Sequence, residues 1–338
     1  MKALVCSEPG KLDYIDMAEP EMKAEHAIVR IRNICICGTD LHAFEGTQPF
    51  FNYPRILGHE LSGELMDFDN APGFHKGEAV TFLPYLNCGH CITCRSGKTN
   101  CCTNLRVCGV HMDGGMVDYY SIPSRLLVHS QGLALKELAL VEPLAIGAHG
   151  IRRAYIQQGE FVLVMGAGPI GLATIEFARL SGAEIIVTDL KKNRLEFCKN
   201  KLGISHCIPA DDSDIIERLL EITHGEMPTV VIDASGNLKA INKGLGYLAH
   251  GGRYVLIGLQ KGDFIFSHPE FHKREATLMS SRNATREDFD YVMQCITKGL
   301  IDPLSFITNR VKFKDAAKGF PEWLNPSSNV IKVVIEND

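Results

Sequence analysis

A chain of 338 residues, 45% of them hydrophobic, has globular composition and is long enough for two domains. Lys and Arg (35) are outnumbered by Asp and Glu (40), the net charge is -5 and no run of like charges occurs, which argues against nucleic acid or an anionic membrane surface as partner. No apolar stretch approaches the roughly 20 residues of a bilayer span. Met1 to Gly10 holds one Lys, an early Glu8 and no apolar core, so it does not read as a secretory signal, and a cytoplasmic protein acting on a small molecule is expected.

The first third alternates apolar and polar residues in runs such as Ala27 to Arg32, punctuated by Gly, Pro and Asn, and predicts irregular β structure. Near Glu142 the pattern changes. A helix is predicted from Pro143 to Tyr155, a strand from Phe161 to Met165 and a helix from Pro169 to Leu180. Strands follow at Ile185 to Asp189, Val230 to Ala234 and Tyr254 to Ile257, separated by helix-length segments. Such β-turn-α alternation is that of a doubly wound parallel sheet. A helix from Arg286 to Lys298, a charged connector near Lys312 and a strand from Val330 to Glu336 do not continue the alternation and are expected to return to the first domain.

Gly166-Ala-Gly168-Pro169-Ile170-Gly171 follows the Phe161 to Met165 strand and opens a helix, the context a dinucleotide fingerprint requires. The glycines allow a tight turn, close approach of the backbone to a pyrophosphate and close helix-strand packing, and the helix N-terminus supplies amide donors. Asp189 lies 18 residues past Gly171 at the end of the next strand, where its carboxylate would accept from ribose hydroxyls and repel a 2'-phosphate. NAD is therefore favoured, while Lys191, Lys192 and Arg194 leave NADP open.

Twelve cysteines in a chain without an export signal point to metal rather than disulfides. Cys88-x2-Cys91-x2-Cys94-x7-Cys102 offers four thiolates in one short lobe, which suits a closed, structural Zn2+ site, with Cys101 an alternative fourth ligand and Cys108 a spare. A second constellation is dispersed over Cys37-Gly-Thr39-Asp40-Leu-His42, Gly58-His59-Glu60 and Glu142-Pro143. Taken singly, each of its members reads as readily as core packing or a turn residue. Their occurrence together with the fingerprint and the thiol lobe makes them candidate ligands.

These motifs, in this order, resemble those of the zinc-containing medium-chain dehydrogenase/reductase family over essentially the whole chain. The resemblance implies an α/β protein. A GroES-like catalytic domain with a partly open β-barrel would span 1–147, with the structural-zinc lobe at about 86–104. A Rossmann NAD-binding domain would span 148–283, and 284–338 would pack back on the first domain, with a cleft between the domains. It implies two Zn2+ per chain and NAD, with Cys37 and His59 as catalytic-zinc ligands and Glu60 as a ligand or exchangeable neighbour. Glu142 matches a position where polyol and threonine dehydrogenases carry glutamate and ethanol-type enzymes carry cysteine. Thr39 would accept the alcohol proton, His42 would pass it to solvent, and Asp40 is similar to the carboxylate that orients the ligand histidine. Gly166, Gly168, Pro169, Ile170, Gly171, Asp189 and Arg194 would bind the dinucleotide. A dimer or tetramer is expected by the same resemblance.

Two stretches, Gly109-Val-His111-Met-Asp113-Gly-Gly115 and Ser280-Ser-Arg282-Asn283-Ala-Thr285, resemble a bacterial branch that handles polyols and sugar acids, including L-galactonate and L-gulonate 5-dehydrogenases. His111, Arg282 and Asn283 are accordingly candidate substrate residues, the guanidinium matching a carboxylate. The competing readings are L-threonine 3-dehydrogenase, sorbitol-type polyol dehydrogenase and, from another class, a non-enzymatic NAD-binding redox sensor.

Overall fold

In His26–Cys35, Ala27, Val29 and Ile31 are buried while the residues between them are half-buried, and this strand is the spine of the first sheet. The computed structural model describes every residue except Phe50 and Pro326. It divides the chain into two compact units, Met1–Pro143 with Thr285–Asp338, and Leu144–Ala284.

In the first unit the sheet runs in the order Leu127–His129, Ala79–Phe82, Glu60–Phe68, His26–Cys35, Lys332–Glu336, Ile307–Lys312, and Tyr119–Pro123 also pairs with the spine. Register shifts between Ile28 and Val29 and between Ile31 and Asn33 mark bulges, which bend a strand. The sheet does not close into a barrel among the described residues. Its register positions the chemistry. Cys35 lies opposite both Glu60 and Val334, so the residues just past the spine, those at the start of Glu60–Phe68 and the terminal strand meet at one end of the sheet. The segment near Lys312 is the strand Ile307–Lys312 rather than a connector; it pairs in parallel with the terminal strand, whose other edge meets the spine.

The second unit is one parallel sheet in the order His206–Pro209, Glu184–Asp189, Phe161–Met165, Val230–Asp233, Arg253–Leu256, Thr277–Ser280. This is the doubly wound order in which the chain starts at the centre, builds to one edge and returns to build the other. Leu163, Ile186, Val231 and Tyr254, all fully buried, form part of its core. Its two edge strands went unread in the sequence because His206–Pro209 and Thr277–Ser280 are four residues each and lack the continuous apolar run of the inner strands. The helix expected from Pro143 begins at Val141, since proline is tolerated in a first turn where its missing N–H has no helical partner. No helix among the described residues is long and apolar enough to cross a membrane.

Candidate catalytic and cofactor sites

The spine strand ends at Cys35, and Cys37 caps the helix Gly38–Glu45. His59 stands immediately before the strand that Glu60 opens. The paired strands thereby bring Cys37, His59 and Glu60 together, with their ligand atoms all within 4.8 Å of one another. Asp40 is fully buried and ties the two segments, its Oδ2 accepting from the Cys37 amide at 2.9 Å and its Oδ1 from the Gly58 amide at 3.1 Å. The same Oδ1 is 3.8 Å from His59 Nδ1, beyond hydrogen-bond range, and that nitrogen is buried with no hydrogen-bond partner. Glu142, in the first turn of Val141–Ala154, is buried beside this set and accepts from the Tyr85 hydroxyl. Glu60 is held by the buried Lys332 ammonium at 2.5 Å.

The electrostatics are those of a cation site. Burial raises the Glu142 carboxyl to about 7, with Glu60 adding to the rise and His59, Tyr85 and Lys332 opposing it. His59 is raised well above its usual value although burial opposes its charge, because Asp40, Cys37 and Glu142 surround it. Burial also raises Asp40. Three buried carboxyl groups and a thiol surround one imidazole and one ammonium, and a buried charge without a partner is costly. A thiolate, an imidazole and a carboxylate at this spacing, with an orphaned imidazole nitrogen beside them, fit Zn2+.

Thr39 is half-buried in the first turn of Gly38–Glu45. His42, a turn on, is exposed, with its Nδ1 3.2 Å from the Thr47 hydroxyl. The loop of the Gly109 to Gly115 motif braces His59 from behind: Gly115 N–H donates to the Gly58 carbonyl at 2.9 Å and Met116 N–H to the Leu57 carbonyl at 3.0 Å. A side chain at Gly114 would stand 2.3 Å from the Gly58 carbonyl oxygen, so only glycine fits this close approach. His111 accepts the Val107 amide on Nδ1 at 3.2 Å, which places its proton on Nε2.

The other thiol cluster brings together Cys88, Cys91, Cys94 and Cys102, and leaves Cys101 exposed. Its sulfur separations of 4.0, 3.4 and 3.8 Å rule out disulfides and match the spacing of about 3.8 Å that tetrahedral Zn–S bonds impose. Hydrogen bonds from Thr93 and from the Cys94 and Thr103 amides lower the Cys91 thiol to about 4, the charge state a metal takes. Cys108, the spare, is buried elsewhere and accepts from Tyr120.

In the second unit Gly168 caps the helix Pro169–Leu180, with Pro169 at its first position, Ile170 next and Gly171 in the first turn. A side chain on Gly171 would meet the Gly166 carbonyl oxygen at 1.9 Å, so the turn closes only with glycine there. Asp189 is buried and braced through both oxygens, accepting from the Ala167 and Lys191 amides at 2.7 Å each. The Arg194 guanidinium stands 3.6 Å from Asp189, beside Gly168, and its Nε is buried without a partner. Arg282 is exposed. Asn283 adopts a left-handed conformation, φ 51°, and its Nδ2 is buried without a partner.

Comparison with known proteins decides the family. The alcohol dehydrogenase GroES-like domain matches residues 23–132 and the zinc-binding dehydrogenase domain residues 169–298. L-Galactonate-5-dehydrogenase of Escherichia coli (strain K12) is 40% identical over 336 residues, 99% of this chain and 98% of the relative. The chain belongs to the zinc-type medium-chain alcohol dehydrogenase family. A second relative, 2-dehydro-3-deoxy-L-galactonate 5-dehydrogenase of Pseudoalteromonas atlantica, is 32% identical over 289 residues, 84% of each chain. Among solved structures, the rspB alcohol dehydrogenase of E. coli CFT073, complexed with NADH, superposes with a TM-score of 0.92 at 29% identity and 99% coverage of both chains.

Two residues of this dehydrogenase's buried site escaped sequence reasoning. Tyr85 lies 57 residues before Glu142, and Lys332 lies 272 after Glu60. No local spacing announces either. A lone Lys within the apolar terminal strand was the available signal, since lysine is almost never fully buried without a partner.

Proposed function

We propose that this chain is a zinc-dependent, NAD-linked dehydrogenase that oxidises a secondary alcohol of a sugar acid, a hexonate such as L-galactonate or L-gulonate. The observation that carries the reading is the Cys37, His59 and Glu60 cluster, in a chain 40% identical over 99% of its length to an L-galactonate-5-dehydrogenase. Cys37, His59 and Glu60 would hold one Zn2+, with Glu142 alongside, and Cys88, Cys91, Cys94 and Cys102 a second. Bound at the first site, Zn2+ supplies Lewis-acid polarisation of the substrate hydroxyl. NAD supplies the hydride acceptor.

The chain's own residues do the rest. Asp40, through the Cys37 and Gly58 amides, fixes the segments that carry the thiolate and the imidazole, and keeps His59 Nδ1 beside a carboxylate. Thr39 takes up the proton of the substrate hydroxyl, and the exposed His42 releases it to solvent. The Gly168 cap and the amides of the following turn cradle the pyrophosphate. The Asp189 carboxylate, already oriented by two amides, accepts from the ribose hydroxyls and disfavours a 2'-phosphate. The Arg282 guanidinium offers a fork to the substrate carboxylate. The orphaned Asn283 Nδ2 offers it a donor, because a buried donor left unpaired costs about 1–3 kcal/mol that a polar ligand recovers.

An NAD-coupled screen of hexonates, hexitols and L-threonine tests the reading. Turnover of a hexonate at the highest kcat/KM supports it. A dominant hexitol signal assigns a sorbitol-type enzyme, dominant L-threonine a threonine 3-dehydrogenase, and NAD binding with one zinc per chain and no turnover a redox sensor.

A further inference from the structure

Lys332 is 2% exposed, and it belongs to the last strand of the chain. An ammonium has three donors and no acceptor. Here two go to Glu60, at 2.7 Å to Oε1 and 2.5 Å to Oε2, and one goes to the Ile36 carbonyl at 3.1 Å. Ile36 directly precedes Cys37, and its own amide donates to the Val333 carbonyl at 3.0 Å. One side chain from the end of the sequence thus grips the Glu60 carboxylate and the segment that delivers Cys37. Both of those residues belong to the set whose ligand atoms lie within 4.8 Å of one another.

A carboxylate held through both oxygens by an ammonium shares its charge, which weakens its pull on a second cation. We infer that Lys332 is a positioning residue that holds Glu60 back from permanent ligation of the metal, so that a coordination position stays available to the substrate oxygen. The inference rests on the zinc reading of Cys37, His59 and Glu60. A purely structural role is the rival account, and it leaves the metal's behaviour unchanged; a buried ion pair adds little net stability in any case.

The test is the rate at which the full-length, zinc-loaded protein surrenders metal to a chelator, with the zinc of the four-cysteine lobe as internal reference. In Lys332→Met the freed Glu60 binds the ion and a nearby positive charge is lost. Release from the buried site should slow by roughly tenfold, within the range that partners of metal ligands command. KM for the alcohol should rise, as Glu60 competes for the substrate's position. Lys332→Arg should return both towards wild type. In a Glu60→Gln background Lys332→Met should slow release far less, because only the loss of the positive charge then remains. Lys332→Gln, which keeps one donor towards Glu60, is the second variant should the methionine chain not fold, with a smaller slowing expected. Folded variants that release zinc at the wild-type rate or faster overturn the inference and leave the zinc reading intact. A wild-type chain holding zinc only in the lobe overturns both.

Discussion

The two thiol-bearing sites of this dehydrogenase are built in opposite ways. Cys88, Cys91, Cys94 and Cys102 come from one stretch of fifteen residues and sit in a partly exposed lobe, with nothing but sulfur in their ligand set. Cys37 comes from one segment and the buried His59 and Glu60 from another, with Asp40, Tyr85, Glu142 and Lys332 packed around them. Four thiolates satisfy a tetrahedral ion completely, which is what a structural site needs. On the proposed reading, Cys37, His59 and a Glu60 carboxylate engaged by Lys332 leave a position open to a substrate oxygen, which is what a catalytic site needs. On that reading the contrast separates stability from activity, and mutation can break it.

The largest effect should come from the dispersed site. Cys37→Ala or His59→Ala should lower kcat/KM by on the order of a thousandfold, the several kcal/mol that a Lewis acid supplies, while the lobe keeps its metal. Equal activity in either variant would dissolve the distinction. The lobe should respond the other way. Cys94→Ala should cost on the order of 3 kcal/mol of stability as its metal is lost, while kcat per folded chain is retained; thermal melts with and without chelator check this.

Residues outside both clusters sharpen the comparison. Arg282→Ala should raise KM for a hexonate by about 10- to 100-fold, the worth of a charge-assisted hydrogen bond, and leave KM for a neutral hexitol nearly unchanged. Matching losses for both substrates would remove the carboxylate from its role. The smallest effect is expected at Glu160, which pairs with Arg253 at 2.5 Å in the second unit, far in sequence from any thiol ligand. Burial raises its carboxyl, but Arg253, the Gln157 amide and Thr229 outweigh burial and hold it below its ordinary 4.5. Its stabilisation is therefore complete above that value and is lost as pH falls through the lowered one. Glu160→Gln should cost about 1 kcal/mol at neutral pH, a difference that disappears in denaturation curves taken in acid.

How much of this was legible follows from sequence distance. The fingerprint strand Phe161–Met165, the helix Pro169–Leu180 and the thiol lobe are local patterns, and the structure places each where its spacing put it. Cys101 and Cys102 were indistinguishable in sequence because adjacent residues differ by the direction of one side chain, and only the folded lobe shows Cys102 turned in and Cys101 out. Cys37 and His59 became candidates only jointly, since their meeting depends on the register between His26–Cys35 and Glu60–Phe68. The Gly109 to Gly115 stretch resembles a substrate signature in sequence. The fold shows a further demand on it that sequence could not: Gly109 and Gly114 make room for the Gly58 backbone, which arises only when two distant segments touch. The Lys332 clamp was invisible for the same reason, because it exists only once the terminal strand has returned to the spine.

The most direct measurement is the zinc content of the purified chain, by mass spectrometry under native conditions, in wild type and in Cys37→Ala with His59→Ala. The account predicts two zinc ions per wild-type chain and one in the double variant, with the lobe still loaded. One zinc in the wild type, or two retained in the variant, would contradict it.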